Sequence, residues 1–238
     1  TFIQNSFDLF TDCPTRERAG WLCDSFFLGR AEKFYTGKNL IEKNFLENYL
    51  LLDNYENIPD GMIPMCYPAD VDSGGFIPNW AMWFILELRD FSYRTGDSDF
   101  ILLFRDKVYR LIGWFECFEN ADGLLERLPG WVFIEWSKAN DFVQDINFPS
   151  NMLYSAALSA AGELFEDEKL KQKSEKLREI IRERSFDGEF FRDNEVYNKD
   201  GVPSATENRT ETCQYYAFFS GVATSELYPE LWERLTAE

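Results

Sequence analysis

Residues 79–118, NWAMWFILELRDFSYRTGDSDFILLFRDKVYRLIGWFECF, decide the fold. They read as two helices, Asn79–Tyr93 and Asp97–Phe118, divided by Thr95-Gly96-Asp97. In that divider a glycine ends one helix and an aspartate caps the next. The same punctuation recurs upstream, where helical patterns over Asp24–Thr36 and Asn39–Leu52 flank Gly37. In the first of these, Phe27, Ala31, Phe34 and Tyr35 repeat at three- and four-residue steps.

Downstream, Ser150–Phe165 is Ala-rich and suited to close packing, with Ser150 as its expected N-cap. Its partner Glu168–Arg184 is charged and expected to face outward. A fourth pair covers Thr210–Val222 and Ser225–Leu235, with Ser225 capping the last helix. Four pairs make eight helices in an all-α chain with no need of a strand-rich domain. Apolar helices alternating with charged ones fit a ring of hairpins, an (α/α) toroid, and equally a solenoid that binds a protein partner. The connections 53–77, 119–149 and 186–209 carry most of the Gly and Pro and are expected at one rim.

A chain of 238 residues that is 45% hydrophobic can bury one substantial core, so a single domain over residues 1–238 is expected. The 23 Phe, 11 Tyr and 7 Trp exceed what a helical core needs and suggest rings lining a cleft, with sugars as suitable ligands. A net charge of −18 argues against nucleic acid and anionic membranes as partners. No window approaches the ~20 apolar residues of a membrane span, so a soluble protein is expected. Five scattered cysteines indicate neither a disulfide framework nor a zinc site, and mildly favour a reducing compartment. The absence of histidine excludes Ser-His-Asp, Cys-His and HExxH chemistry within this chain. No metal or cofactor is expected, and carboxylates must carry any acid–base work. The sequence lacks an initiator Met and a signal-peptide pattern and stops within a helical stretch, which reads as a fragment.

One segment concentrates such groups. Residues 12–24, DCPTRERAGWLCD, hold five charged residues, a Trp, a Gly and a Pro just before a helix. Pro14 and Gly20 make it a shaped loop able to converge carboxylates on one point. Glycoside cleavage needs a proton for the leaving oxygen and a second carboxylate to activate water or attack the sugar. The competing reading is structural: Asp24 caps the following helix, and Arg16, Glu17 and Arg18 form surface ion pairs.

The segment resembles the signature DCPxRERxGWxGD of the family 78 glycoside hydrolases, the bacterial α-L-rhamnosidases. It matches at Asp12, Cys13, Pro14, Arg16, Glu17, Arg18, Gly20, Trp21 and Asp24, and departs at Cys23, where Gly is more typical. The resemblance implies hydrolysis of terminal rhamnosides with inversion, Glu17 as general acid, Asp12 and Asp24 as hydroxyl-binding carboxylates, Trp21 as a wall of the sugar pocket, and Arg16 among the substrate-binding residues. It also implies a six-hairpin toroid of twelve helices, about eight of them here, and a bacterial source, cytoplasmic or periplasmic. Flanking β-domains and a general base in a Trp-Glu pair are expected beyond this chain. Trp232-Glu233 lies too early to be that pair.

Three further segments resemble the family. Residues 74–80, GGFIPNW, place Trp80 at the rim to stack on sugar, or in the core beside Trp83; Met82 stands where the family often has an acid. Residues 131–137, WVFIEWS, put Glu135 and Trp136 at the pocket, although Glu135 also reads as a solvated loop acid. In residues 210–217, TETCQYYA, Glu211 either binds sugar or completes a capping box. Two alternatives stand beside the hydrolase: a six-hairpin glycosidase of other sugar specificity, and a non-catalytic helical module that binds carbohydrate or protein.

Overall fold

The computed structural model describes residues 2–69 and 75–237. Among them are nine α-helices and one small three-stranded sheet. Gly74 of the first aromatic rim segment lies outside the described residues.

Helix α1, Asp24–Thr36, has the expected bounds and stops at Gly37, whose φ of 71° is left-handed. Helix α2 follows at Leu40–Asn48, shorter than the expected Asn39–Leu52. Helix α3, Pro78–Thr95, starts on a proline that sacrifices no intrahelical bond and stops at Gly96, φ 70°. Asp97 then caps as expected, its carboxylate accepting from Phe100 N at 3.2 Å.

The single helix expected over Asp97–Phe118 is two, α4 at Ser98–Leu102 and α5 at Arg105–Glu116. Tight bonds from Leu103 N to Phe100 O and from Phe104 N to Ile101 O close α4. The break delivers Phe104 to full burial against Phe100 and Phe84, with ring centroids at 5.2 and 5.9 Å. Burying one aromatic side chain contributes roughly 1.5–3 kcal/mol, enough to outweigh a lost helical bond.

Helix α6 begins at Phe148, two residues before the expected Ser150. Asn147 Oδ1 serves the helix start, accepting from Ser150 N at 2.9 Å and Ser150 Oγ at 2.7 Å. Helix α7, Glu168–Ser185, buries Leu170, Ser174, Leu177, Ile181 and Ser185 and turns its charges outward. Ser174 Oγ donates to Ser155 O of α6 at 2.6 Å, a close approach that small residues permit. Helix α8 covers Glu211–Ser220, and α9 covers Pro229–Thr236. Ser225 does not cap α9, which starts from Tyr228 with Pro229 in its first turn; the Ser225 hydroxyl meets Glu226 instead.

The sheet adds to the expected all-helical pattern. Strands β1 (Ile146–Asn147), β2 (Asn194–Tyr197) and β3 (Pro203–Ala205) pair antiparallel in the order β1-β2-β3, with Ile146 opposite Glu195 and Val196 opposite Ser204. No described helix is long and apolar enough to cross a membrane.

The chain divides into two compact units, Thr1–Trp114 with Ala160–Asp167, and Phe115–Ser159 with Glu168–Glu238. In the first, α1 packs on α2 and α3. Its core is a run of buried rings, Phe10 to Phe45, Tyr49, Phe84 and Phe104, with successive centroids 5.1–6.0 Å apart. Helix α1 contributes Ser25, Phe26, Gly29 and Glu32 to the buried side. Its apolar series points elsewhere: Phe27, Phe34 and Tyr35 are exposed. In the second unit Phe115 packs on Tyr154 at 5.5 Å, and Phe186, Phe191 and Tyr228 form a ring trio at 4.8–5.1 Å.

Candidate active site

The loop before α1 is closed on itself and then clasped to a neighbouring segment. Asp12 N donates to Ala19 O at 3.1 Å, and Ala19 N returns to Asp12 Oδ1 at 3.2 Å. One carboxylate oxygen of Asp12 is therefore used in shaping the loop. Beyond the closure, residues 20–22 run beside 65–68: Leu22 N to Met65 O at 3.0 Å, Tyr67 N to Gly20 O at 3.0 Å, and Gly20 N to Pro68 O at 3.3 Å. A Cβ on Gly20 would lie 2.7 Å from Tyr67 O, so this approach requires glycine.

Cys23, immediately before α1, has φ 73° and ψ −52°. That region costs a non-glycine residue of order 1–3 kcal/mol. The signature's usual Gly at this position thus has a backbone reason, and this chain retains the turn with a side chain in place.

Inside the closed loop, Glu17 N donates to Cys13 Sγ at 3.3 Å. The Glu17 carboxylate is gripped at both oxygens, Oε2 by Trp21 Nε1 at 3.0 Å and Oε1 by Arg16 Nη2 at 3.1 Å. Glu17 retains 29% of its side-chain exposure and Arg16 retains 77%. Glu17 lines a depression of about 630 Å³ with Phe7, Asp8, Leu9, Thr11 and Pro68, among others. Sequence reasoning passed over these wall residues, because they flank the signature without belonging to it.

Asp24 opens α1 as its first residue and does not serve as its N-cap; that position belongs to Cys23. Asp24 has surface open to solvent, yet its pKa is pushed up to about 6. Crowding by protein is the main cause, the charge of Asp12 adds to it, the residue's own backbone N–H opposes it, and Glu17 contributes least. Asp12 and Glu17 thus both disfavour charge on Asp24.

Beneath this loop lies a second set of acids that the sequence did not single out. Ser25, next to Asp24, donates its hydroxyl to buried Glu87 Oε2 on α3 at 2.5 Å. Glu42 of α2 is paired with Arg94 and accepts from Asn39 Nδ2 at 2.8 Å, while Arg30 Nε holds Asp90 at 2.7 Å. Burial raises Glu42 to about 7 against the pull of Arg94 and Asn39. Burial and then the charge of Glu42 raise Glu87. The spacing of Ser25, Gly29 and Glu32, one polar or small residue per helical turn, was the available signal for this face.

Trp80 is in the first turn of α3 and 8% exposed, its ring placed in the core of the first unit. Met82 is fully buried one half-turn on. Neighbouring Trp83 packs tilted against Phe26 and Phe27, with ring centroids at 4.9 and 5.9 Å.

The remaining candidates belong to the second unit. Trp136 is 84% exposed and meets Phe133 and Trp131 at ring distances of 4.8 and 6.2 Å. Glu135 accepts from Thr212 Oγ1 of α8 at 3.0 Å, and Tyr216 OH donates to Ile134 O at 3.2 Å, so α8 fixes this loop. Glu211 completes no capping box. Thr210 caps α8 through Cys213 N at 3.1 Å, and the Glu211 carboxylate accepts from Tyr215 OH.

These features can be set against known proteins. No curated protein sequence matches the chain. Among solved structures, the family 78 rhamnosidase of Bacillus sp. GL1 superposes with TM-score 0.79 at 22% identity, over 99% of this chain and 24% of that one. A rhamnosidase from Klebsiella oxytoca with rhamnose bound gives 0.74 at 18%, over 95% and 43%. A family 105 glycoside hydrolase of C. acetobutylicum gives 0.58 at 13%, over 90% and 67%. At such identities the likeness shows the fold, and the chain spans a quarter to under a half of the two rhamnosidases. The model of the bacterial alpha-L-rhamnosidase 6 hairpin glycosidase domain matches residues 1–238. With that match running over the whole sequence, the chain belongs to the bacterial α-L-rhamnosidase six-hairpin glycosidase family.

Proposed function

We propose that residues 1–238 are part of the catalytic domain of an inverting α-L-rhamnosidase and supply its general acid. In this reading Glu17 delivers a proton to the leaving oxygen, while Asp12 and Asp24 accept hydrogen bonds from sugar hydroxyls, and Arg16 and Trp21 border the same sugar. A general base outside these residues activates the water, and β-domains flank the helical domain. One observation carries the reading: within a chain of this family, the signature glutamate lines a depression of about 630 Å³ with its carboxylate held at 3.0 and 3.1 Å.

The test is proton NMR of phenyl α-L-rhamnoside turnover by the protein as its gene encodes it. The reading expects β-rhamnose as the first anomer released, equilibrating later to the α form. Early α-rhamnose would contradict inversion, and no release would contradict the hydrolase. A second sugar specificity is favoured by one finding, the likeness to a family 105 hydrolase, since a shared fold does not fix substrate. Screening aryl glycosides separates the two, because only the first reading expects rhamnoside to be cleaved fastest.

A further inference from the structure

We propose that Trp21 is a positioning residue that selects which oxygen of Glu17 carries the transferable proton, its indole N–H reserving Oε2 and leaving Oε1 to deliver. The inference rests on the reading of Glu17 as general acid and departs from the resemblance-implied role of Trp21 as a pocket wall.

The chemistry of the two groups biases the selection. An indole nitrogen donates and never accepts, so the oxygen facing it must act as acceptor, which the carbonyl oxygen of a protonated carboxyl does better than its hydroxyl oxygen. Trp21 Nε1 lies 3.0 Å from Oε2, and a proton placed on that oxygen would weaken it as an acceptor. A protonated Glu17 therefore keeps this hydrogen bond at full strength with its proton on Oε1.

The two grips on the carboxylate differ in permanence. Arg16, at 3.1 Å from Oε1, has a side chain 77% exposed, and an exposed ion pair of this kind holds only weakly against water and salt. Arg16 can swing away when a sugar arrives or when Oε1 takes up its proton. Trp21 has less freedom, because the hydrogen bonds of Gly20 and Leu22 to residues 65–68 hold the backbone on both sides of it. Glu17 is tied at its own backbone by Cys13 Sγ, and the loop between is closed by the Asp12–Ala19 pair. Both ends of the Trp21–Glu17 hydrogen bond are thus anchored, while the Arg16 contact is anchored at one.

The experiment compares Trp21→Phe, which keeps an aromatic ring and removes the N–H, with the native protein in its full encoded length. Two substrates are used, an alkyl α-L-rhamnoside, whose leaving group needs a proton, and a 2,4-dinitrophenyl α-L-rhamnoside, whose leaving group does not. The proposal expects kcat on the alkyl substrate to fall about ten- to hundredfold, and by about tenfold more than on the dinitrophenyl substrate, with KM changed little. Combined with Glu17→Gln, Trp21→Phe should add almost nothing, as expected when one group acts through another. Equal losses on both substrates, or a loss confined to KM, would assign Trp21 to the pocket wall and overturn the proposal. If the native protein cleaves no rhamnoside, the functional reading fails, and the hydrogen bond is judged by itself from the Trp21 indole N–H resonance, identified by its disappearance in Trp21→Phe. That proton should exchange slowly and lose its protection in Glu17→Ala; rapid exchange in the native protein would end the proposal.

Discussion

The first unit holds two clusters of carboxylates, one on each side of the start of α1, and they are built in opposite ways. Asp12, Glu17 and Asp24 are held by a closed loop, their charged oxygens met by backbone N–H, an indole and one exposed Arg. Glu42, Glu87 and Asp90 lie in the core, met by Arg94, Asn39, Ser25 and Arg30. In the first set Glu17 borders open volume, where a carboxyl can exchange a proton with a ligand. The second is largely buried, and its charges act on folding. One helix joins them through adjacent residues, Asp24 facing the loop and Ser25 reaching Glu87. Polarity alone thus does not mark a site; what matters is whether the polar groups face space that a substrate can enter.

The largest effect expected of the buried set comes from Arg94→Ala, which strands Glu42 without its cation. Breaking such a buried pair costs about 3–5 kcal/mol, and chemical unfolding at pH 8 should register a loss of that order. The same variant should lose less at pH 5. Glu42 titrates near 7 in the folded chain against an ordinary 4.5, so its stabilising contribution is full below 4.5 and disappears as the pH climbs through 7. At pH 5 the carboxyl is mostly neutral and misses its cation less. Glu87 and Asp24 are shifted in the same direction, so the melting temperature of the native chain should fall between pH 5 and pH 8. Glu87→Gln should flatten that fall. A loss from Arg94→Ala that is equal at both pH values would erase the distinction between the clusters.

A smaller effect sharpens the loop side of the comparison. Cys23→Gly should raise stability by about 1 kcal/mol, since glycine adopts a φ of 73° without strain. A loss in thermal unfolding would mean that the Cys23 side chain contributes more than its backbone costs.

The helices were legible where the chain carries its own punctuation. Gly37, Gly96 and Asp97 end or cap helices where their chemistry says they should. The break between α4 and α5 was not legible, because Leu102-Leu103-Phe104 continues an apolar run and only packing against Phe84 and Phe100 favours the interruption. Strands of two to four residues are too short for an alternating pattern to register. The start of α9 was signalled by Pro229, and Ser225 drew attention from it.

For the site, sequence supplied the loop and the spacing of its acids. It could not supply the hydrogen bond from Trp21 to Glu17, because a four-residue separation in an irregular loop implies no contact. Nor could it show that the apolar series Phe27, Phe34 and Tyr35 would be exposed while α1 buried Ser25, Gly29 and Glu32. An amphipathic helix was expected, and the buried face is the more polar one.

The contrast between the clusters reduces most directly to turnover by Glu17→Gln on an alkyl α-L-rhamnoside, at a temperature where the variant and the native protein are equally folded. The loop reading requires kcat to drop by about 10²–10⁴ with the melting temperature unchanged. A kcat within about threefold of native, or a drop explained by unfolding, would remove Glu17 from the chemistry and contradict the account.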